Sequence, residues 1–368
     1  MIPCANPYAQ YLAHQADIDA AIARVLHGGR YILGEETSAF EREFADYVGT
    51  AHGIGVGSGT EALHLALRAA GVGPGDEVLT VSHTAVATVA AIELCGADPV
   101  LVDIEPTEFI IDATQLEEHI SPRTKAVVPV HLYGQPADLA PVLEIAGRYG
   151  LRVIEDCAQA HGATYRGRRV GSWGDLGCFS FYPTKNLGAL GDGGMVVTSS
   201  DQLAEHARRL REYGWADRYV SVMAGWNSRL DELQAAVLRV KLRTLDLDNR
   251  ARQRLAECYD GWLRNAGVTV PVRREDRTHV YHLYVIRSAR RDALREFLAG
   301  RGISTLIHYP VPVHLQAAYA GRLSGRDDLA RSERAASEIL SLPLFPELTE
   351  SEVETVSDAV LAFGCEES

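Results

Sequence analysis

A lysine near the middle of the chain has the neighbours that Schiff-base chemistry requires. Lys185 stands between the aromatic stretch Ser180-Phe181-Tyr182 and a glycine-rich loop that ends at Gly194. Glycines let the backbone approach a bulky ligand closely, and a partly desolvated lysine can lose its proton and form a Schiff base with an aldehyde. A single loop lysine is more often simply exposed, so the interpretation depends on the residues that accompany it.

A carboxylate and an amide follow an apolar stretch earlier in the chain. Asp156 ends the stretch Arg152-Val153-Ile154-Glu155-Asp156, and Gln159 stands three residues later. A carboxylate there could pair with a protonated pyridine nitrogen and keep the ring an electron sink, while Gln159 could donate to the phenolic oxygen of such a ring. Taken alone, Asp156 could equally be a helix cap or a salt-bridge partner, and Gln159 a surface residue.

A third candidate is the sequence Gly57-Ser58-Gly59-Thr60, which precedes a helical pattern. The free N–H groups and the positive end of a helix favour a phosphate. The same residues could be an ordinary helix cap or a dinucleotide loop, but the G-x-G-x-x-G spacing of dinucleotide sites is absent. His83 ends the next apolar stretch, where it could stack on a flat ring or be a buried structural histidine.

The elements that must position these residues alternate between strand and helix patterns. Helices are predicted at about 17–27, after Thr37, after Thr60, and over 85–95 and 139–149. Strands are predicted over 53–56, 77–81, 99–103, 126–130 and 152–156. This alternation predicts an α/β fold with a mostly parallel sheet that is covered on both faces. Ligands bind at the carboxyl ends of the strands of such sheets, where Asp156 and His83 are expected.

The pattern changes near residue 245, which predicts two domains. Residues 1–245 are expected to form a large α/β domain, and residues 246–368 a smaller α+β domain. The second domain would contain a helix over about 249–265, a strand over 280–286, a helix over 291–301 and two helices over 329–340 and 349–363. A chain of 368 residues is long enough for two domains of this kind.

Composition and charge argue against several other classes of protein. The formal net charge of −13 is opposite to that of broad nucleic-acid binders. The six cysteines include no C-x-x-C pair, so we expect reduced thiols and no metal site. His279 and His282 would point to opposite faces of a strand, which makes them a poor metal pair. Neither a signal peptide nor a membrane-spanning stretch is recognisable, which predicts a cytoplasmic protein.

Three motifs together resemble the DegT/DnrJ/EryC1/StrS aminotransferases. They lie at 57–63, 154–162 and 180–188, and further matches extend the resemblance over about residues 30–344. Members of this family are fold-type-I pyridoxal-phosphate enzymes that act on nucleotide-linked keto sugars or related cyclitols. The resemblance therefore implies pyridoxal 5'-phosphate (PLP) as cofactor, with glutamate or glutamine as the donor that converts it to the pyridoxamine form.

The family resemblance also implies a role for each matching residue. Lys185 would carry the cofactor and move the proton. The ring would be held by Asp156 at the pyridinium nitrogen, Gln159 at the phenolic oxygen and His83 on its face. The phosphate would be bound by Ser58, Gly59, Thr60, Ser180 and, from the neighbouring subunit, Asn227, which implies a homodimer with shared sites. Substrate contacts would come from Tyr182, Asn186, Arg229, His308, Tyr309 and His314.

The stretch 213–231 is most similar to enzymes that aminate C3 of dTDP-3-keto-6-deoxyhexoses. This implies deoxyaminosugar biosynthesis for a glycosylated natural product such as an antibiotic. Met223-Ala224 and Trp226 depart from the residues common there. A dehydratase branch of the family has histidine where this chain has Lys185, so transamination is favoured. The alternatives are amination at C4 of a dTDP-4-keto sugar, a regulator that binds PLP and amino sugars without turnover, and a nicotinamide oxidoreductase.

Overall fold

The structure of the chain, a computed structural model, describes residues 1–325 and 329–365. The strands in these residues are β1 (His52–Val56), β2 (Glu77–Val81), β3 (Asp98–Val102), β4 (Thr124–Val127), β5 (Arg152–Asp156), β6 (Thr164–Tyr165), β7 (Arg168–Arg169), β8 (Leu176–Ser180), β9 (Gly194–Thr198), β10 (Trp215–Asp217), β11 (Val220–Ser221), β12 (Tyr284–Arg287), β13 (Ser324–Gly325) and β14 (Ile339–Leu342).

The α-helices of the same residues surround these strands. They are α1 (Pro7–Ala13), α2 (Gln15–Gly28), α3 (Glu35–Val48), α4 (Gly59–Ala69), α5 (Val86–Leu94), α6 (Leu116–His119), α7 (Leu139–Tyr149), α8 (Asp201–Leu210), α9 (Glu232–Leu242), α10 (Leu245–Leu263), α11 (Arg291–Gly300), α12 (Ala330–Glu338) and α13 (Glu350–Cys365). Among the residues described, no helix is long and apolar enough to span a membrane.

Eight strands form one sheet, in the order β1-β9-β8-β5-β4-β2-β3-β13. Every neighbouring pair from β8 to β13 is parallel. Only β9 runs in the opposite direction in this sheet, paired antiparallel with β1 and β8. The expected α/β fold with a mostly parallel sheet is therefore confirmed, and the carboxyl ends of β5 and β8 lie side by side.

Helices cover both faces of the sheet because the strands are apolar on both sides. Along β9, Val196 packs into a buried cluster with residues of α4 and α8, while Met195 and Val197 pack into a cluster with residues of α3 and α9. Successive side chains of a strand point to opposite faces, so these two clusters are the two sides of the core. As expected, the cysteines are free thiols, and four of the six are buried.

The C-terminal part of the chain contains a second, smaller sheet. β12 and β14 pair antiparallel and pack with α10, α11 and α13 in their own buried cluster. The first residues of the chain also contact this part, because Ile2 bridges to Ile303 and the Cys4 thiol approaches the carbonyl of Ser341. The division into domains at residue 245 stays a prediction, and residues 326–328 and 366–368 of the second predicted domain lie outside the described residues.

Two predicted elements of this region are wrong in part. The strand predicted over 280–286 begins only at Tyr284, since Tyr281 has a positive φ of 46° and interrupts the extended backbone. The helix predicted over 329–340 ends at Glu338, and the following residues form β14. Its register with β12 places Ile339 opposite Arg287. Such long-range pairing overrides local helix propensity.

Candidate active site

Lys185 lies in the loop between β8 and β9, beyond the carboxyl end of β8. Its side chain is partly buried, and its Nζ lies 3.5 Å from Nε2 of His282. Burial lowers the pKa of Lys185 to about 8, and the negative charge of Asp156 opposes this shift. Near that pH both the ammonium and the nucleophilic amine are well populated, which is the condition for Schiff-base chemistry.

Two donors hold the carboxylate of Asp156 at the carboxyl end of β5. Its Oδ2 accepts from the Thr88 hydroxyl at 2.9 Å, and its Oδ1 accepts from the backbone N–H of Ala158 at 3.1 Å. Burial raises the pKa of Asp156, while these two bonds and the charge of Lys185 oppose the rise. Because β5 and β8 are parallel neighbours, the fold brings Asp156 and Lys185 to one edge of the sheet.

A hydrogen-bond network connects three more of the predicted residues. Gln159 accepts from the backbone N–H of Tyr133 at 2.7 Å and donates to the hydroxyl of Tyr309 at 3.1 Å. The Tyr133 hydroxyl in turn lies 2.8 Å from Nε2 of His83. Burial lowers the pKa of His83 to about 4, so the ring is neutral. The charge of Asp156 also acts on Tyr309, so this network lies beside the carboxylate.

The start of α4 lies against the end of β8. Ser58 caps the helix, accepting from the backbone N–H of Glu61 at 3.2 Å. A Cβ added to Gly59 would lie 2.5 Å from the Cβ of Ser180, so only glycine allows this approach. The free backbone N–H groups of this first helical turn, near Gly59 and Thr60, therefore lie next to the Ser180 side chain. Such a helix start is a ready site for an anionic group.

Asn227 lies at the rim of this region rather than inside it. Its side chain is exposed, and with Arg229 and Ser58 it lines an open cleft of about 530 Å³. The preceding Trp226 fixes this segment on α4, because its ring stacks on His64 with 4.2 Å between ring centroids. The tryptophan that departs from the family pattern thus anchors the segment that presents Asn227.

The six predicted substrate residues are placed in different ways. Tyr182 is exposed at 53%, beside the loop of Lys185. Asn186 is buried, and its amide donates to Oδ1 of Asn249 at 2.8 Å and to the carbonyl of Val280 at 3.0 Å. Asn186 therefore points into the protein and holds the loop, whereas Tyr182 is free to meet a ligand.

The predicted histidines near residue 310 are held by the protein on both sides. His308 Nδ1 lies 2.9 Å from Oγ of Ser341. His314 Nδ1 lies 2.7 Å from Oγ of Ser82, and its Nε2 lies 3.1 Å from a carboxylate oxygen of Glu333. The Tyr309 hydroxyl and the backbone carbonyl of His308, which accepts from the Tyr133 hydroxyl, belong to the network around Gln159, and His314 lies in a separate set of bonds.

Sequence reasoning did not identify Thr88, Tyr133 and His282 as part of this site. Thr88 is a buried polar residue in a helix that is otherwise apolar on that side, and this is a usable signal. Tyr133 lies in a short turn with a positive φ of 59°, and no residue pattern in the sequence predicts this turn. The strand pattern offers His282 only as a poor metal ligand, and the chain is not extended there.

Among the described residues, one buried group has metal-ligand chemistry: His131, Glu155 and Cys157. Its hydrogen bonds are already made. Nδ1 of His131 accepts from a backbone N–H, its Nε2 lies 3.1 Å from Glu155, and that carboxylate accepts three backbone N–H groups between 2.7 and 2.8 Å. The group is a buried hydrogen-bonded network, since a metal would displace bonds that the fold uses.

Comparison with known proteins places this geometry in context. The model of the DegT/DnrJ/EryC1/StrS aminotransferase family matches residues 13–361. A relative from Streptomyces venezuelae, dTDP-3-amino-3,4,6-trideoxy-alpha-D-glucose transaminase, is 50% identical over 360 residues, which cover 98% of this chain and 95% of that protein.

Two solved structures share the fold. DesV of S. venezuelae, crystallised in complex with a ketimine intermediate, is 49% identical with a TM-score of 0.97, covering 99% of this chain and 98% of that one. NtdA of Bacillus subtilis, with bound cofactor PMP, is 33% identical with a TM-score of 0.87, covering 95% and 82%. On these matches and this fold, the chain belongs to the DegT/DnrJ/EryC1/StrS aminotransferase family.

Proposed function

We propose that the chain is a PLP-dependent aminotransferase that moves an amino group from glutamate or glutamine to C3 of a dTDP-3-keto-6-deoxyhexose. The observation that carries this proposal is the pairing of two residues at the sheet edge. Lys185 is a lysine whose pKa is lowered by burial to about 8, and it lies close enough to Asp156 for that carboxylate to act on it. A Schiff-base lysine beside a buried carboxylate is the combination that PLP chemistry requires.

The residues around this pair fit PLP at each of its functional groups. Asp156 would pair with the ring nitrogen, Gln159 would donate to the phenolic oxygen, and His83 would lie on one face of the ring. The phosphate would lie at the first turn of α4, near Ser58, Thr60 and Ser180. Gly59 lets this turn approach Ser180, since a Cβ there would lie 2.5 Å from the Cβ of Ser180.

PLP supplies an electron sink for the negative charge that develops on the neighbouring carbon. The residues of the chain hold the reacting groups in position and transfer the protons. The carboxylate of Asp156 would pair with the ring nitrogen and favour its positively charged form. The amine of Lys185 accepts the proton that leaves the donor's Cα, and its ammonium returns a proton one step later. A pKa of about 8 suits both the acceptance and the return of the proton, because the amine and the ammonium forms of Lys185 are both available near neutral pH.

The substrate class is supported by the relatives. The S. venezuelae relative bears the name of a transaminase of a dTDP-3-amino sugar, and residues 213–231 resemble enzymes of that type. Tyr182 and Arg229 are the predicted substrate residues that have exposed surface beside the proposed cofactor site. The far side of the sugar pocket would be lined by His308, Tyr309 and His314. A role in deoxyaminosugar biosynthesis follows from this substrate, and a cytoplasmic location stays a prediction.

The active unit in this proposal is a homodimer with shared sites. Asn227 is exposed, and the family resemblance implies that it contacts the phosphate held by a second copy of the chain. Ile32, which lines the same cleft as Asn227, is exposed, and so are four large apolar residues of the segment before Asn227: Tyr213, Tyr219, Val220 and Val222. An exposed apolar surface of this kind is typical of a protein interface, which supports the association of two copies of the chain.

The test is the donor half of the reaction. The purified protein, loaded with PLP, is mixed with glutamate alone, and conversion to PMP is followed by absorbance. We expect conversion by the natural chain and none by Lys185→Arg, which keeps a positive charge without an amine of suitable pKa. Lys125→Arg, at an exposed lysine of β4, is the matched control and should convert normally with glutamate. Binding of PLP without conversion would contradict the proposal and favour a non-catalytic regulator.

A further inference from the structure

We propose that His282 is a positioning residue that holds the amino group of Lys185 whenever this group is not bonded to the cofactor. This inference rests on the proposed function, since it assigns a task within the same site. His282 is outside the motifs that suggested the cofactor site, and it precedes β12 in the C-terminal part of the chain. It would couple that part to the chemistry at the sheet edge.

The geometry around the ring supports this task. Nε2 of His282 lies 3.5 Å from Nζ of Lys185, and His282 is only 6% exposed. The other ring nitrogen, Nδ1, has no partner among the described residues. An unpaired buried nitrogen is costly, so the ring is not placed here to complete a structural hydrogen-bond network. Among the residues that the structure describes, the one hydrogen-bond partner of the ring is Lys185.

The backbone beneath the ring is fixed by a buried arginine. Nη1 of Arg252 donates to the carbonyl groups of Tyr281 at 3.3 Å, His282 at 3.5 Å and Leu344 at 3.0 Å. Gly134 lies so close on the other side that a Cβ there would be 2.9 Å from the backbone nitrogen of His282. The backbone that carries the ring is therefore held in place on both sides.

The surrounding charges decide the protonation of the ring. Burial and the neighbouring Lys185, Arg252, His308 and His161 all lower the pKa of His282. The ring is therefore neutral, with a lone pair on one nitrogen. Because an ammonium group has donors only, that lone pair must be on Nε2 when Lys185 is charged. Asp156 is the acidic group on the other side of Lys185, and in the proposed function it is engaged by the ring nitrogen.

This arrangement gives the amino group of Lys185 a defined position when it is not bonded to the cofactor. While Asp156 pairs with the cofactor, the ammonium form of Lys185 needs another acceptor, and His282 provides it. Holding the amino group there keeps it within reach of the reacting carbon instead of letting it turn away. Loss of the acceptor would also disfavour the ammonium form, so the amine would form at lower pH.

The test compares two substitutions at this position. His282→Phe keeps a flat ring and removes the acceptor, whereas His282→Gln keeps an acceptor close to the position of Nε2. His206→Phe is the control, because His206 lies on α8 and its Nδ1 contacts the carbonyl of Ala69, away from the lysine. The rate at which the apoenzyme binds added PLP is measured against pH from the growth of visible absorbance, with the thermal midpoint recorded for each variant.

We expect the midpoint of this pH profile to fall by about one unit in His282→Phe, since a hydrogen bond to a charged group stabilises the charged form by an amount of that order. His282→Gln and the control should stay near the natural chain. An unchanged profile in His282→Phe would overturn the inference. If that variant does not fold, His282→Leu replaces it. If the natural chain itself develops no visible band with PLP, the proposed function fails instead, so the two failures are distinguishable.

Discussion

A lowered lysine pKa does not by itself mark a catalytic lysine in this chain. Burial also lowers the pKa of Lys241 to about 8, as it does for Lys185. The difference lies in their partners. Nζ of Lys241 donates to Oε1 of Gln10 at 2.9 Å and to the carbonyl of Gly188 at 2.7 Å, so its donors are used by the fold. Lys185 lies instead beside a carboxylate and a neutral histidine, and it is free to react.

Replacing Lys241 with Met separates the structural lysine from the reactive one. The folded-state pKa of Lys241 lies below its ordinary value of 10.5, so folding releases a proton and stability rises with pH between about 8 and 10.5. The variant should lose this part of the rise. It should also be less stable near pH 7 by about 1–3 kcal/mol, because the carbonyl of Gly188 loses its donor. Urea unfolding at several pH values measures both, while conversion of glutamate should persist.

Asp156→Asn tests the ring-nitrogen contact. The amide keeps the size of the side chain and can still bond to Thr88, but it cannot stabilise a positive charge on the ring nitrogen. We expect PLP to bind and the rate of conversion with glutamate to fall by about 10²–10³-fold, the usual loss when one electrostatic contact to developing charge is removed. Stopped-flow absorbance gives this rate. Near-natural conversion would show that Asp156 has only a structural role.

At the scale of elements, the sequence predicts the central sheet well and the C-terminal part less well. β2, β5 and α7 have the predicted bounds, because buried parallel strands are continuous apolar runs between helical patterns. The local pattern predicts that residues 339 and 340 end a helix, since only the pairing of β14 with β12, far away in the sequence, makes them part of a strand. His282 was missed for a related reason: its position depends on a turn at Tyr281 that has no local signal.

The contact between α4 and β8 is an element-scale feature that a single methyl group should break. Gly59→Ala would place a Cβ 2.5 Å from that of Ser180, so the start of the helix must move away from the strand. We expect PLP to bind at least about 10-fold more weakly while the fold persists, because the helix start positions the phosphate. Fluorescence titration of the apoenzyme measures this affinity.

Gly147 provides the matched control for this substitution. A Cβ at Gly147, within α7, meets no atom within 4 Å. Gly147→Ala should leave PLP affinity unchanged and stabilise the protein by roughly 0.5–1 kcal/mol, since alanine is the better helix former. Equal PLP affinity in both variants would mean that the start of α4 does not hold the phosphate.

At the scale of the whole molecule, the site residues come from widely separated parts of the chain. The start of α4, the end of β5, the loop after β8 and the segment before β12 meet at one edge of the sheet. Motif matching recovered the first three of these, since each contains a short run of distinctive residues. The family resemblance also implies that Asn227 acts across a subunit boundary, and this stays a prediction.

Mixed dimers test the shared site. Lys185→Ala and Asn227→Glu should each be inactive alone, the second because a carboxylate would oppose the phosphate. If Asn227 serves the partner's site, a dimer with one subunit of each kind contains one intact site and regains about half of the natural activity. Refolding the two variants together and assaying the purified mixed dimer measures this. No regain of activity would place Asn227 in the site of its own subunit.

The most direct test of the central claim is the position of the transferred nitrogen. The enzyme is incubated with glutamate labelled at nitrogen and supplied in turn with a dTDP-3-keto-6-deoxyhexose and a dTDP-4-keto-6-deoxyhexose, and each product is analysed by nitrogen-resolved NMR. We predict labelled nitrogen on C3 of the first sugar and little product from the second. Label on C4, or no labelled sugar from either substrate, would contradict the account.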